Sequence, residues 1–139
     1  MTLKTKDPKQ NLHHEIPLFA DRPRRELDLI ASLTDIVDVP AGKVLVTEGD
    51  RGREFFALVS GAAEVTLHGE HVADVEPGEF FGEIALVAHM PRTASVTTSE
   101  PSQVLVMTDQ AFQRLIEIDP QIRQRVVGSL ARRMETVTP

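Results

Sequence analysis

Apolar positions change their period twice along the chain, and the changes divide it into three parts. Residues 1–12 offer little to bury and read as a flexible leader ahead of a single domain at 13–139. Ile16, Pro17, Leu18 and Phe19 form a short apolar anchor, and Leu27, Ile30 and Ala31 follow at helical spacing, predicting a helix over about 23–33 with Pro23 in its first turn. The period then drops to two. Ile36–Val39, Val44–Val46, Phe55–Val59, Ala63–Leu67, Val72–Val75, Ala94–Thr98 and Val104–Met107 read as strands, separated by Pro- and Gly-bearing turns such as Pro40-Ala41-Gly42 and Glu76-Pro77-Gly78. His68-Gly69-Glu70-His71 is a hairpin candidate. From Thr108 the helical period returns. Thr108 or Asp109 serves as N-cap for 110–117, and Asp119-Pro120 starts a last helix striped by Ile122, Val126, Leu130 and Met134.

Short strands joined by tight turns, with no crossover helices between them, predict an antiparallel sheet protein and exclude a parallel α/β fold. Turns about every eight to twelve residues indicate a sandwich or a closed barrel, with a helix at its N-terminal side and two at its C-terminal side.

Composition narrows the function. At 139 residues the chain fits one domain, and a net charge of −6 argues against non-specific nucleic-acid binding. No stretch is apolar for long enough to span a membrane, and the polar N-terminus lacks the apolar core of a secretory signal. The absence of cysteine removes disulfides and thiolate metal sites and points to the cytoplasm. Any anionic ligand must be captured by local positive groups.

Those groups are concentrated in Phe80–Val96, FFGEIALVAHMPRTASV. Gly82-Glu83-Ile84-Ala85-Leu86-Val87 is too short for an ordinary helix, but as a single turn it presents main-chain N–H groups to an anion. Arg92, past Pro91, offers a planar fork suited to phosphate. Glu83 repels an anion but accepts a hydrogen bond from a hydroxyl. Together these groups suit a ligand carrying an anion and an alcohol close together, as a sugar phosphate does.

At these residues FGEIAL followed by PRTASV resembles the phosphate-binding cassette of cyclic nucleotide-binding domains, the family of the cAMP-dependent kinase regulatory subunit and the catabolite activator protein. The resemblance extends to Val46, Glu48-Gly49-Asp50, Phe55-Phe56 and Gly61, and covers about residues 16–134. It implies a mainly β fold, an eight-stranded antiparallel jelly-roll barrel with an N-terminal helix and two C-terminal helices, in which Glu83 holds the ribose 2′-hydroxyl and Arg92 the exocyclic phosphate oxygens. Main-chain N–H groups at Ile84, Ala85, Thr93 and Ala94 complete the cage, and Gly82 allows close approach. It further implies a lid on the last helix, with Val126, Val127, Leu130 and Met134 as candidates for the residue set against the base. A hydroxyl at the Thr93 position is compatible with either purine; cAMP is the favoured ligand and cGMP the second. His89 and Met90 occupy a spacer where the family often carries glycine.

Blander readings compete at each position. Glu83 and Arg92 also suit a structural ion pair, and Phe55, Phe56, Phe80 and Phe81 suit the core better than a base-stacking platform. His13, His14, His68 and His71 do not form the His-x-His pattern of cupin metal sites, so no metal is expected. No nucleophile motif or paired-carboxylate site stands out, so no enzyme and no cofactor is expected. The arginines of the last helix, Arg123, Arg125, Arg132 and Arg133, read as a solvated face. The chain as given ends at Pro139 with no helix-turn-helix, so the expected output is an unidentified downstream protein or a homodimer through the C-terminal helices. The alternative is an interaction module of the same fold that does not bind cyclic nucleotides.

Overall fold

The computed structural model describes residues 16–83, 86 and 91–137, with the backbone alone given for 129–137. The expected leader, Ile84, Ala85 and the spacer Val87–Met90 lie outside the described residues, as do the side chains of Leu130, Arg132, Arg133 and Met134. A 3₁₀ turn at Pro17–Phe19 precedes helix α1 (Arg24–Ser32). Eight strands follow: β1 (Asp35–Val39), β2 (Val44–Val46), β3 (Glu54–Ser60), β4 (Ala63–Leu67), β5 (Glu70–Val75), β6 (Phe80–Phe81), β7 (Ser95–Thr98) and β8 (Ser102–Thr108). Helices α2 (Asp109–Ile118) and α3 (Pro120–Val137) end the chain.

The strands make two four-stranded antiparallel sheets, ordered β1-β8-β3-β6 and β2-β7-β4-β5. Of the sandwich and the closed barrel that the pattern leaves open, the eight strands among the described residues form two facing sheets with helices at both ends, and no closed barrel. The β4–β5 hairpin turns on His68 and Gly69, both at positive φ (54° and 83°), the two-residue geometry that matches the twist of the flanking strands. Strand β6 was not foreseen. It consists of two residues paired with β3, Phe56 opposite Phe81 and Ala57 opposite Phe80.

Burial explains why β3 reads as a continuous apolar run although its sheet is antiparallel. Its two faces serve different cores. Phe55, Ala57 and Val59 join Leu105, Met107, Phe112, Leu115, Ile122 and Val126 on the helical side. Phe56 and Leu58 join Val46, Phe81, Val96 and Val104 between the sheets. Aromatic stacking follows the same division, with Phe55 on Phe112 and Phe56 on Phe81. A strand covered on both faces loses the polar alternation of a half-exposed one.

Polar straps fasten the helical layer. Thr108 caps α2, its side-chain oxygen accepting from the Ala111 N–H, as the sequence predicts. Asp119, buried, uses Oδ1 to accept from the N–H groups of Gln121 and Ile122 at the start of α3. Its Oδ2 accepts from Arg22 Nε at 2.8 Å. One residue departs from the expected solvated face of α3: the Arg125 Nη1 group donates to the carbonyls of Pro17, Leu18 and Ala20, the closest at 2.8 Å. Arg123 is exposed as expected. No helix among the described residues is long and apolar enough to cross a membrane.

Removing the carboxylate in Asp119→Ala strips the α3 cap and leaves Arg22 without its charge partner, which should lower stability by about 2–4 kcal/mol. Asp119→Asn retains an acceptor for the cap and should recover part of the loss. Urea denaturation of the three proteins measures both steps; equal stabilities would show that neither contact holds α3.

Candidate anion-binding site

The site is assembled around Arg92. Its guanidinium donates from Nη1 to the Gly82 carbonyl at 2.9 Å and from Nη2 to the Glu54 carbonyl at 2.8 Å. Its main chain is pinned as well: the Arg92 N–H donates to Asp50 O at 2.8 Å, and its carbonyl accepts from the Gly49 N–H at 2.9 Å. The Glu48 N–H donates to Ser95 Oγ at 2.9 Å, so the β2–β3 loop braces the whole approach to β7. The β3–β6 pairing sets Gly82 beside Glu54, which is what lets one arginine reach both carbonyls.

Two carbonyls fix the plane of the fork, and a guanidinium carries five N–H donors, so it is positioned without being exhausted. Arg92 is 7% exposed. Burial pulls its pKa below the ordinary arginine value, and the negative charges of Glu54, Glu83 and Asp50 pull it back up. Arginine stays charged throughout the physiological range, so the consequence is a held cation in a partly desolvated place, where an anion is attracted more strongly than in water. Glu83 is fully buried and near enough to act on that cation.

Gly82 has a role in this arrangement beyond ligand approach. It sits at φ +93°, and a Cβ there would come within 3.0 Å of Arg92 Nη1 and 3.1 Å of the Glu54 carbonyl. Glycine thus meets two demands here, the positive φ and the close approach of the arginine. Thr93 and Ala94 follow Arg92, half-buried, at the entry to β7. Glu83 and Leu86 have helical backbone, and Leu86 is buried in the helical-side core. Of the lid candidates, Val126 is buried within that core and Val127 is half-exposed on α3.

The structure thus brings together Gly82, Glu83 and Arg92, with Thr93 and Ala94 next in chain. Ile84 and Ala85 lie outside the described residues. Sequence reasoning missed the carbonyls of Glu54 and Asp50, because main-chain acceptors leave no side-chain signature, and the brace from Ser95 Oγ, because its partner is the main-chain N–H of Glu48. The phenylalanines are core residues: Phe19, Phe55, Phe56, Phe81 and Phe112 are buried, and Phe80 packs against the helical-side core. The described histidines pair on the surface, His68 with Glu48 and His71 with Asp74. The Asp74 hydrogen bond raises the His71 pKa. Among the described residues no three potential ligands converge on a metal position.

Comparison with known proteins places these observations. A family model described as the cyclic nucleotide-binding domain matches residues 36–119. The chain is 36% identical over 104 residues to a cAMP-dependent protein kinase regulatory subunit of Yarrowia lipolytica, covering 73% of this chain and 28% of that protein. It is 31% identical over 113 residues to the Pycsar effector protein XpPycTIR of Xanthomonas perforans, covering 80% of this chain and 37% of that protein. It therefore spans well under half the length of these relatives. Among solved structures, the catabolite activator protein of Thermus thermophilus superposes with a TM-score of 0.75 at 30% identity, over 86% of this chain and 58% of that one. A cAMP-bound PfPKA-R superposes at 0.78 with 24% identity, over 91% of this chain and 45% of that one, a likeness of fold.

Gly82→Ala and Gly49→Ala form an informative pair. Both glycines have positive φ, but a Cβ at Gly49 meets nothing within 4 Å. Gly49→Ala should cost about 1 kcal/mol of backbone strain, and Gly82→Ala about 2–3 kcal/mol because Arg92 must also move. Equal losses in chemical denaturation would show that the guanidinium yields freely.

Proposed function

The chain belongs to the cyclic nucleotide-binding domain family, and from that premise we propose that it is a cyclic nucleotide sensor favouring cAMP over cGMP. The observation that carries this reading is the buried Arg92 fork, held by two carbonyls beside the buried carboxylate of Glu83. Arg92 grips the exocyclic oxygens of the cyclic phosphate, and main-chain N–H groups at Ile84, Ala85, Thr93 and Ala94 share the charge. Glu83 accepts from the ribose 2′-hydroxyl, which separates this ligand from inorganic phosphate. The naming of relatives as cAMP-dependent regulatory subunits supports cAMP as the ligand.

The site is a binding site and performs no chemistry on the nucleotide; its family is regulatory. Output passes through α2 and α3, and the lid candidates that α3 carries are Val127, Leu130 and Met134. A ligand shifts such an equilibrium only by its differential affinity for the two states. The receiver is a further protein or a second copy meeting the C-terminal helices, in the reducing cytoplasm that a cysteine-free chain suits.

Titration calorimetry with cAMP and cGMP tests the reading directly. Both should bind, cAMP more tightly; absence of binding at millimolar ligand would leave the fold as an interaction module. Arg92→Ala should weaken cAMP by about 2–5 kcal/mol, the loss of a charged partner from a desolvated phosphate. Near-unchanged affinity in a folded Arg92→Ala protein would place the ligand elsewhere. Glu83→Gln should weaken binding less, because its amide oxygen still accepts. For that residue the deciding ligand is 2′-deoxy-cAMP, which should bind the unaltered protein more weakly than cAMP; equal affinities would remove Glu83 from the ribose.

A further inference from the structure

Gln113 lies on α2, away from the arginine fork. Its side-chain nitrogen nevertheless donates to the main-chain carbonyl of Leu86 at 3.1 Å and to Asp109 Oδ1 at 3.2 Å. Both neighbours can only accept, so only the NH₂ end of the amide fits there, and Asp109, one turn earlier on the same helix, sets its direction. Leu86 follows Glu83 in the turn that the proposed function assigns to phosphate binding. The Leu86 carbonyl is a main-chain acceptor of that segment, and a side chain from another helix donates to it.

The turn is therefore fastened to the helical layer in two ways. The Leu86 side chain is buried in the core that also holds Phe112, Leu115, Ile122 and Val126. Apolar contact of that kind has no direction and tolerates sliding. The Gln113 bond has both direction and fixed length, so it follows the carbonyl wherever the turn goes. In the proposed reading an anion acts on this segment, and Gln113 holds the Leu86 carbonyl of the same segment.

We propose that Gln113 is the positioning residue that ties the phosphate-binding turn to α2, so that ligand occupancy reaches the C-terminal helices through the Leu86 carbonyl. The inference rests on the cyclic-nucleotide reading of the site. Gln113 does not touch the ligand; it acts through Leu86.

Hydrogen exchange with mass spectrometry, with and without saturating cAMP, tests it on the full chain. In the unaltered protein cAMP should slow exchange in peptides around 82–86 and change it across α2 and α3. Gln113→Met keeps length and bulk without a donor; the response at 82–86 should persist and the response in α2 and α3 should be lost. Gln113→Lys, which restores a donor facing the same two acceptors, should bring that response back. Should the Met variant not fold, Gln113→Ala makes the same deletion at this half-buried position. A helical response in the folded variant equal to that of the unaltered protein overturns the proposal, and so does cAMP binding to the unaltered protein with no helical response. Failure of the unaltered protein to bind cAMP at all is a different result, and overturns the functional reading itself.

Discussion

A buried arginine is stable only where its donors are used, and the two carbonyls that receive Arg92 set the terms for everything around it. Leaving such a donor unmade costs about 1–3 kcal/mol, more when it is charged. Gly82 and Glu54 meet that demand because β6 pairs with the start of β3. Glycine is then favoured at 82, by its φ of +93° and by the tight approach of the guanidinium and the Glu54 carbonyl to a Cβ placed there. The β2–β3 loop has to pass alongside, since it supplies the partners of the Arg92 main chain. One side chain thus dictates a residue choice, a strand pairing and a loop path.

The helical layer depends on a second kind of constraint. Its apolar side is continuous with one face of β3 and β8, so α2 and α3 cannot leave without exposing that core. Over it lies a polar layer: Arg22 to Asp119, Asp119 to the start of α3, and Arg125 to the carbonyls of the 3₁₀ turn. Apolar contact supplies most of the energy, and the directional bonds select among orientations of similar burial. The segment before α1 and the start of α3 are held as one unit by these bonds, although they are remote in sequence.

How much of this was legible in the sequence follows from what each feature leaves behind. The strand run Phe55–Val59 and the cap at Thr108 announce themselves through residue type and period, and both formed where expected. Strand β6 is too short to have a period and exists only through its partner. Arg92 was visible as a cation near a glycine and a carboxylate, but the atoms that hold it are carbonyls of Gly82 and Glu54, which every residue carries. Arg125 sits off the apolar stripe of α3, and on periodicity alone it belongs to solvent; its length lets it reach back over the stripe edge to the 3₁₀ turn. Gln113 carried no signal, because a polar residue on a half-exposed helix face is ordinary until the Leu86 carbonyl is known to face it.

The net charge of −6 is of the wrong sign for an anionic ligand, and distance decides how much it matters. At physiological salt, exposed charges more than about 8 Å away are largely screened. The carboxylates scattered over the surface therefore weigh little at the cassette. What remains is short-range: a cation held in a partly desolvated position and the carboxylates of Glu54, Glu83 and Asp50 that act on it. Of these three Glu83 is buried, and its burial keeps its opposition to an anion unscreened. The same property makes the carboxylate selective. A ligand offering only charge meets the repulsion, whereas a ligand that also brings a hydroxyl within reach converts it into a hydrogen bond. On the proposed reading, discrimination at this site rests on pairing an anion with an alcohol at fixed separation, and the hold on Arg92 fixes one end of that measure.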